Sequence, residues 1–335
     1  MSHVFRRNLI SAAIVAVVLS FAVGTAFAQY TLTTFVKNSG KNGDKQLINP
    51  WGLAYGPGEY FWFSDDGTGL STLYDGNGVK QSLVVTIPPA SGTGLGSPTG
   101  IVYNGGSQFQ IMHWTSAFMF ATLDGLICGW SHFDPNNALI GVSSPGSVYT
   151  GLAINAANTM VYAADFANNK IDVYDGNFKF VTSFTDSSIP AGYGPFNVQD
   201  IGGQLYVAYA LQNGKKGGYI DIFTESGTLV KTLAHGKTIN QPWGFAMAPS
   251  NFGTFSNALL VSYNVNAGTV VAFDPNTGAF LGTVSTSAGK AIKLPGVWGI
   301  EFGGGDPQNG NTNSLYFVGG PKSDTGGIFG VVNPD

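Results

Sequence analysis

The sequence predicts an all-β chain: a six-bladed β-propeller of four-stranded antiparallel blades. Three observations predict it. A phrase of apolar, aromatic, acidic and turn residues recurs as "TLYDGNG" (72–78), "HFDPNNA" (132–138), "KIDVYDGNF" (170–178), "IFTESGT" (222–228) and "AFDPNTG" (272–278). A second phrase recurs as "NPWGLAY", "SPTGIVY", "VYTGLAI", "GPFNVQD", "QPWGFAM" and "GVWGIE", and its glycine-equivalent positions Gly52, Gly100, Gly151, Asn197, Gly244 and Gly299 lie 48, 51, 46, 47 and 55 residues apart. A fixed period near 50 residues is the mark of a repeat architecture. Finally, 48 glycines, 13% aromatic and only 10% charged residues suit short strands joined by tight turns, not a disordered chain.

The first element is a leader. Arg6 and Arg7 precede an apolar run, Ile10 to Val23, and the small-x-small triplet Ala26-Phe27-Ala28. This reads as a secretory signal peptide over 1–28, with the propeller as a single domain over 29–335. The run is short for a bilayer anchor, which needs about 20 residues. The arginine pair leaves the export route open. Removing the leader takes 335 residues to 307 and the formal charge from −4 to −6. An acidic chain does not suit a nucleic-acid partner. No later stretch is apolar enough to span a membrane. The expected mature protein is a periplasmic or secreted monomer, and Cys128, alone among apolar neighbours, is expected to be a buried thiol.

Each copy then runs in one order. An apolar strand A follows the x-x-G, and an aromatic strand B follows a Gly/Asn loop. Strand C carries the acidic phrase, and strand D follows its turn. Asp-Gly, Asp-Pro-Asn and Ser-Gly supply the backbone positions of a tight C–D hairpin. Copy six has A, B and C and then the chain stops, so its D strand is missing. "YTLTTFV" (30–36) is a spare strand, and the expectation is that it completes the last blade.

A meander places D–A and B–C connections on one face and A–B and C–D turns on the other. The first face collects Trp51, Trp243 and Trp298 with Asp65, Asp66, Asp165, Asn168 and Asn264, and it is the expected ligand face. Taken singly, each residue suits a turn or a packing role; the signal is their co-location. No catalytic constellation accompanies them. His113, His132 and His235 form no H-x-x-x-H, and no G-x-S-x-G occurs. "DPQNGNTN" (306–313) has one carboxylate in eight residues and reads as a long A–B loop, not a calcium loop.

The phrases "NPWGLA", "SDDGTGLSTLYDGNG", "YAADFANNKIDVYDGNF", "QPWGFAMAP" and "FDPNTGAFLGT", with counterparts in every blade, resemble a family of exported bacterial NHL-repeat-like propellers. Some members carry a PEP-CTERM sorting tail. This chain stops at "VVNPD", so free secretion or periplasmic residence is expected over surface anchoring. The resemblance implies no catalytic residues. The function expected is therefore a non-catalytic module, without a cofactor, that binds a protein, peptide or glycan. The alternative is a metal-dependent, lactonase-like hydrolase with a divalent cation such as Ca²⁺ at the central tunnel, its ligands drawn from Asp65, Asp66, Asp165, Asn197 and Asn264.

Overall fold

A computed structural model describes residues 29–41 and 43–335; the leader expected over 1–28 lies outside the described residues. Strand β1 (Tyr30–Lys37) opens the chain. Blade one is β2 (Pro50–Ala54), β3 (Phe61–Asp65), β4 (Leu70–Tyr74) and β5 (Lys80–Thr86). Blade two begins with β6 (Pro98–Tyr103). It then carries an inserted two-stranded hairpin, β7 (Gln110–Ile111) and β8 (Trp114–Thr115), and continues with β9 (Phe118–Thr122), β10 (Leu126–Trp130) and β11 (Leu139–Ser143). Blade three is β12 (Tyr149–Ile154), β13 (Met160–Asp165), β14 (Lys170–Asp175) and β15 (Phe180–Phe184). Blade four is β16 (Tyr193–Ile201), β17 (Gln204–Leu211), β18 (Gly218–Thr224) and β19 (Leu229–Gly236). Blade five is β20 (Pro242–Met247), β21 (Leu259–Tyr263), β22 (Thr269–Phe273) and β23 (Phe280–Thr283). Blade six is β24 (Val297–Phe302), β25 (Leu315–Gly319) and β26 (Ile328–Pro334), with β1 as its fourth strand. The six-bladed, four-stranded architecture is thus the one the repeats predict.

The recurring acid caps the C–D hairpin. Asp75 Oδ1 accepts from the backbone N–H groups of Asn77 and Val79, each at 2.8 Å, and Asp175 does the same for Asn177 and Lys179. Asp274 repeats it in blade five, and in blade four the Thr224 hydroxyl takes the acid's place. These side chains satisfy turn donors that no strand partner reaches.

The x-x-G phrase has a different cause. In every blade the register between strands A and B breaks across it, for example between Pro50 and Leu53 and between Pro242 and Phe245. The inner strand bulges there and bends toward the axis. Neighbouring inner strands then approach so closely that a Cβ on Gly100 would lie 2.3 Å from the Leu152 nitrogen, and one on Gly299 would lie 2.8 Å from the Trp51 oxygen.

The core is divided by the blades. Six buried clusters each join two adjacent blades. Cys128 lies in the one between blades one and two, where burial pushes its thiol pKa well up. The 306–313 loop is closed on itself: Asp306 Oδ1 accepts from the backbone of Gln308 and Asn309, and the buried Asn309 amide returns to Asp306. Among the described residues no helix is long and apolar enough to cross a membrane.

Closure of the ring rests on β1. It pairs antiparallel with β26 from Tyr30↔Pro334 to Lys37↔Ile328. Tyr30 is fully buried between blades five and six; its hydroxyl donates to Phe252 O at 2.8 Å and accepts from Phe255 N at 3.1 Å. Tyr30→Ala is expected to cost about 3–5 kcal/mol in urea melts, and Tyr30→Phe about 1 kcal/mol. Equal stability of all three proteins would show that the ring closes without this anchor.

Candidate functional site

The residues immediately before the six glycine-equivalent positions are Trp51, Thr99, Thr150, Phe196, Trp243 and Trp298. The bulge aims them at the axis, and four are large aromatics. Trp51 and Trp298 stack at 3.6 Å with 14° between planes, and Trp243 meets both edge-on at 6.2 and 5.8 Å. Phe196 packs against Trp51 and Trp298. The Trp243 indole N–H crosses the channel from blade five to donate to Thr150 O in blade three at 2.9 Å. Trp298 donates to Asn49 Oδ1 at 3.0 Å, while the Trp51 N–H is buried without a partner. The three tryptophans are therefore brought together, as a buried plug in the channel and not as an open aromatic surface on its rim.

The polar residues of that face are each held by separate neighbours and do not meet at one point. Asp65 Oδ2 accepts from Thr72 N and Oγ1 at 3.1 and 2.6 Å, and burial pushes its pKa up to about 8. Asp66 is held by the Asn49 amide at 3.0 Å, and burial raises it to about 6. Asp165 accepts from Val148 N and Asn168 N, the Asn168 amide bonds it again at 2.8 Å, and Lys170 lies 3.7 Å away. Asn264 donates to Val297 O. Asn197 donates to Trp243 O at 2.9 Å, bridging the inner strands of blades four and five. Among the described residues no three His, Cys, Asp or Glu side chains converge for a metal, so Asp65, Asp66 and Asp165 are not gathered into one set.

Behind the plug, toward the A–B ends of the inner strands, lies a channel cavity of about 360 Å³ with Trp243 and Asn197 in its wall. Its polar side chains are Tyr55, Tyr103, Asn197, Gln199, Asp200 and Glu301. Glu301 stands where the other blades carry Ala54, Val102, Ala153, Gln199 and Ala246. It enters none of the ion pairs among the described residues, and only the Phe302 N–H eases its charge. Burial therefore pushes its pKa up to about 7. Burial, and then the charges of Glu301 and Asp306, push the Tyr55 hydroxyl well up. Asp200 is also raised, by burial first and by Glu225 against the pull of the Gly203 N–H. The sequence reading missed Glu301; its signal was an acid at a position where four of the other five blades carry alanine or valine.

No family model matches the chain. Among curated proteins it is 29% identical over 322 residues to uncharacterized protein R648 of Acanthamoeba polyphaga mimivirus, covering 89% of this chain and 78% of that one. It is 30% identical over 316 residues to uncharacterized protein L690 of the same virus, covering 87% and 82%. The chain belongs to the L690 family. Among solved structures, this L690-family chain is similar to a streptogramin B lyase, with a TM-score of 0.57, 12% identity, and coverage of 92% of this chain and 99% of that one. It is also similar to Kuenenia stuttgartiensis hydrazine synthase, with a TM-score of 0.51, 14% identity, and coverage of 82% and 77%. At these identities the likeness shows the fold alone.

Glu301 has a folded pKa above its unfolded value of 4.5. Its contribution is thus fully present at low pH and lost as pH rises through about 7. Glu301→Gln is expected to match wild type near pH 4.5 and to exceed it by about 2–3 kcal/mol at pH 8, read by urea melts across that range. A gap independent of pH would show that the carboxylate ionises freely in the fold.

Proposed function

We propose that this protein is a non-catalytic binding module whose rigid ring takes a small organic ligand into the channel cavity, with Glu301 pairing a cationic or hydroxyl group on it. One observation carries the reading: a cavity ended by packed indoles holds a carboxylate without a protein counter-charge. Its volume lies in the range of small-ligand pockets, and a bound cation would offset the cost of burying that charge. This places the ligand on the opposite side of the plug from the loop face favoured by sequence. Membership in the exported bacterial NHL-repeat-like propellers, and a periplasmic or secreted location, belong to the same proposal. Their support is the motif set in every blade and the leader-like segment at 1–28.

A hydrolase with a channel cation is the weaker reading. Its candidate aspartates hydrogen-bond separately to Thr72, Asn49 and Val148, and among the described residues no three acidic, His or Cys side chains converge. The lyase named among the solved structures speaks for a shared fold at 12% identity.

The test uses intrinsic fluorescence, since Trp243 borders the cavity. Titration with panels of primary amines, quaternary amines and small polyols is expected to yield a saturable change. Glu301→Gln is expected to weaken the responding ligand by about 10-fold or more. A ligand that binds both proteins equally, or hydrolysis of ester and lactone substrates at enzymatic rates, would count against this reading.

A further inference from the structure

Blades three and four place an aspartate at the same point of their third strands, Asp172 in "KIDVY" and Asp221 in "YIDIF". In blade three the charge is answered. Lys170 Nζ lies 2.7 and 2.9 Å from the two Asp172 oxygens, and the Tyr149 hydroxyl donates at 2.9 Å. Blade four has neither partner: Tyr219 stands at the lysine position and Pro195 at the tyrosine position. A second acid arrives instead. Asp186, 5% exposed on the loop before blade four, lies beside Asp221.

The result is a buried pocket of unanswered oxygens. Asp221 is fully buried, and neither of its carboxylate oxygens has a hydrogen-bond partner. The Tyr209 hydroxyl is also fully buried and unpartnered, and it is close enough for both aspartates to act on it. Tyr209 lies two residues beyond Val207, the strand partner of Asp221, so both side chains share one face. Thr232, paired with Asp221 on β19, adds a hydroxyl beside it. Asp186 is oriented by Ser188, whose N–H and hydroxyl reach its two oxygens at 2.7 and 2.9 Å.

We propose that Asp186, Asp221 and the Tyr209 hydroxyl bind a calcium ion between blades three and four. All the donors are oxygens, which suits a hard cation and not zinc or copper. Two carboxylates match a divalent charge. Calcium takes about six to eight oxygens in flexible geometry, so that these groups would be joined by backbone carbonyls or waters, whereas magnesium demands a regular octahedron and holds its waters. A proton shared by the two acids, with the Thr232 and Thr185 hydroxyls nearby, would still leave one net negative charge buried with no basic side chain among the described residues paired to it; a divalent cation answers both carboxylates. None of these residues lines the channel cavity, so this site stands apart from the proposed ligand site. Calcium here would tie the loop between blades three and four to the sheet of blade four.

The test uses the full chain, stripped with EGTA and titrated with CaCl₂ alone, read by calorimetry and thermal unfolding. The expected result is one Ca²⁺ per chain, and a melting temperature roughly 5 °C higher at saturation. Asp221→Asn and Asp186→Asn are expected to bind at least about 10-fold more weakly. Both should unfold in EGTA no earlier than wild type, because each removes one of two facing buried charges. Magnesium should give a smaller rise than calcium. Identical wild-type melting in EGTA and in Ca²⁺ would overturn the proposal. So would wild-type calcium affinity in Asp221→Asn.

Discussion

Six inner strands share one axis, and where they bulge each lies too close to its neighbour for a side chain at five of the six crossing positions. Five of the six crossing residues are glycines, and a Cβ on any of them would lie within 2.8 Å of the next blade's inner strand. This crowding organises the centre of the molecule. It forces the residues just before the glycines to turn inward and fill the channel, and it holds the cavity behind them to about 360 Å³. The aromatic plug is therefore a consequence of close backbone approach. Its indoles are fixed by stacking at 3.6 Å and by hydrogen bonds across the ring.

Blade four departs from the repeat at several positions, and its departures coincide with polar groups. Asn197 replaces the glycine, and its amide bridges to Trp243 O across the gap to blade five. Gln199 and Asp200 stand in the channel wall. Asp221 keeps the repeat's aspartate and loses the partners that blade three retains. Buried polar groups without partners cost more than the average hydrogen bond contributes. Among the described residues, blade four holds three residues with such groups, Asp200, Tyr209 and Asp221, and blade one holds five, Trp51, Trp62, Ser64, Asp65 and Ser71.

Ring closure is a separate constraint. A propeller blade at a chain terminus has an open edge unless another strand covers it. Here the covering strand comes from the opposite end of the chain, and Tyr30 anchors it in the core between blades five and six. Each interblade cluster depends on both of its neighbours, so the anchor at β1 supports the same kind of packing as every other junction.

The architecture was legible in the sequence, since turn chemistry and bulges are local. The 50-residue period and the Asp-Gly and Asp-Pro-Asn turns specified blade count and strand order, and the missing sixth D strand pointed to Tyr30–Val36. The structure extends that strand by one residue, to Lys37. The sequence also placed Trp51, Trp243 and Trp298 on one side of the ring. Only the tertiary structure decided that they fill the channel instead of lining its rim, because that depends on the distance between inner strands of different blades. Asp65, Asp66 and Asp165 looked like convergent ligands, but each is held by neighbours within its own blade, Thr72, Asn49 and Val148, and they do not meet at one point. Asp221 looked like an ordinary repeat residue, and Glu301 stood out only as the one acid at its repeat position. Their isolation from any counter-charge is a property of what surrounds them in space, to which no single stretch of sequence has access.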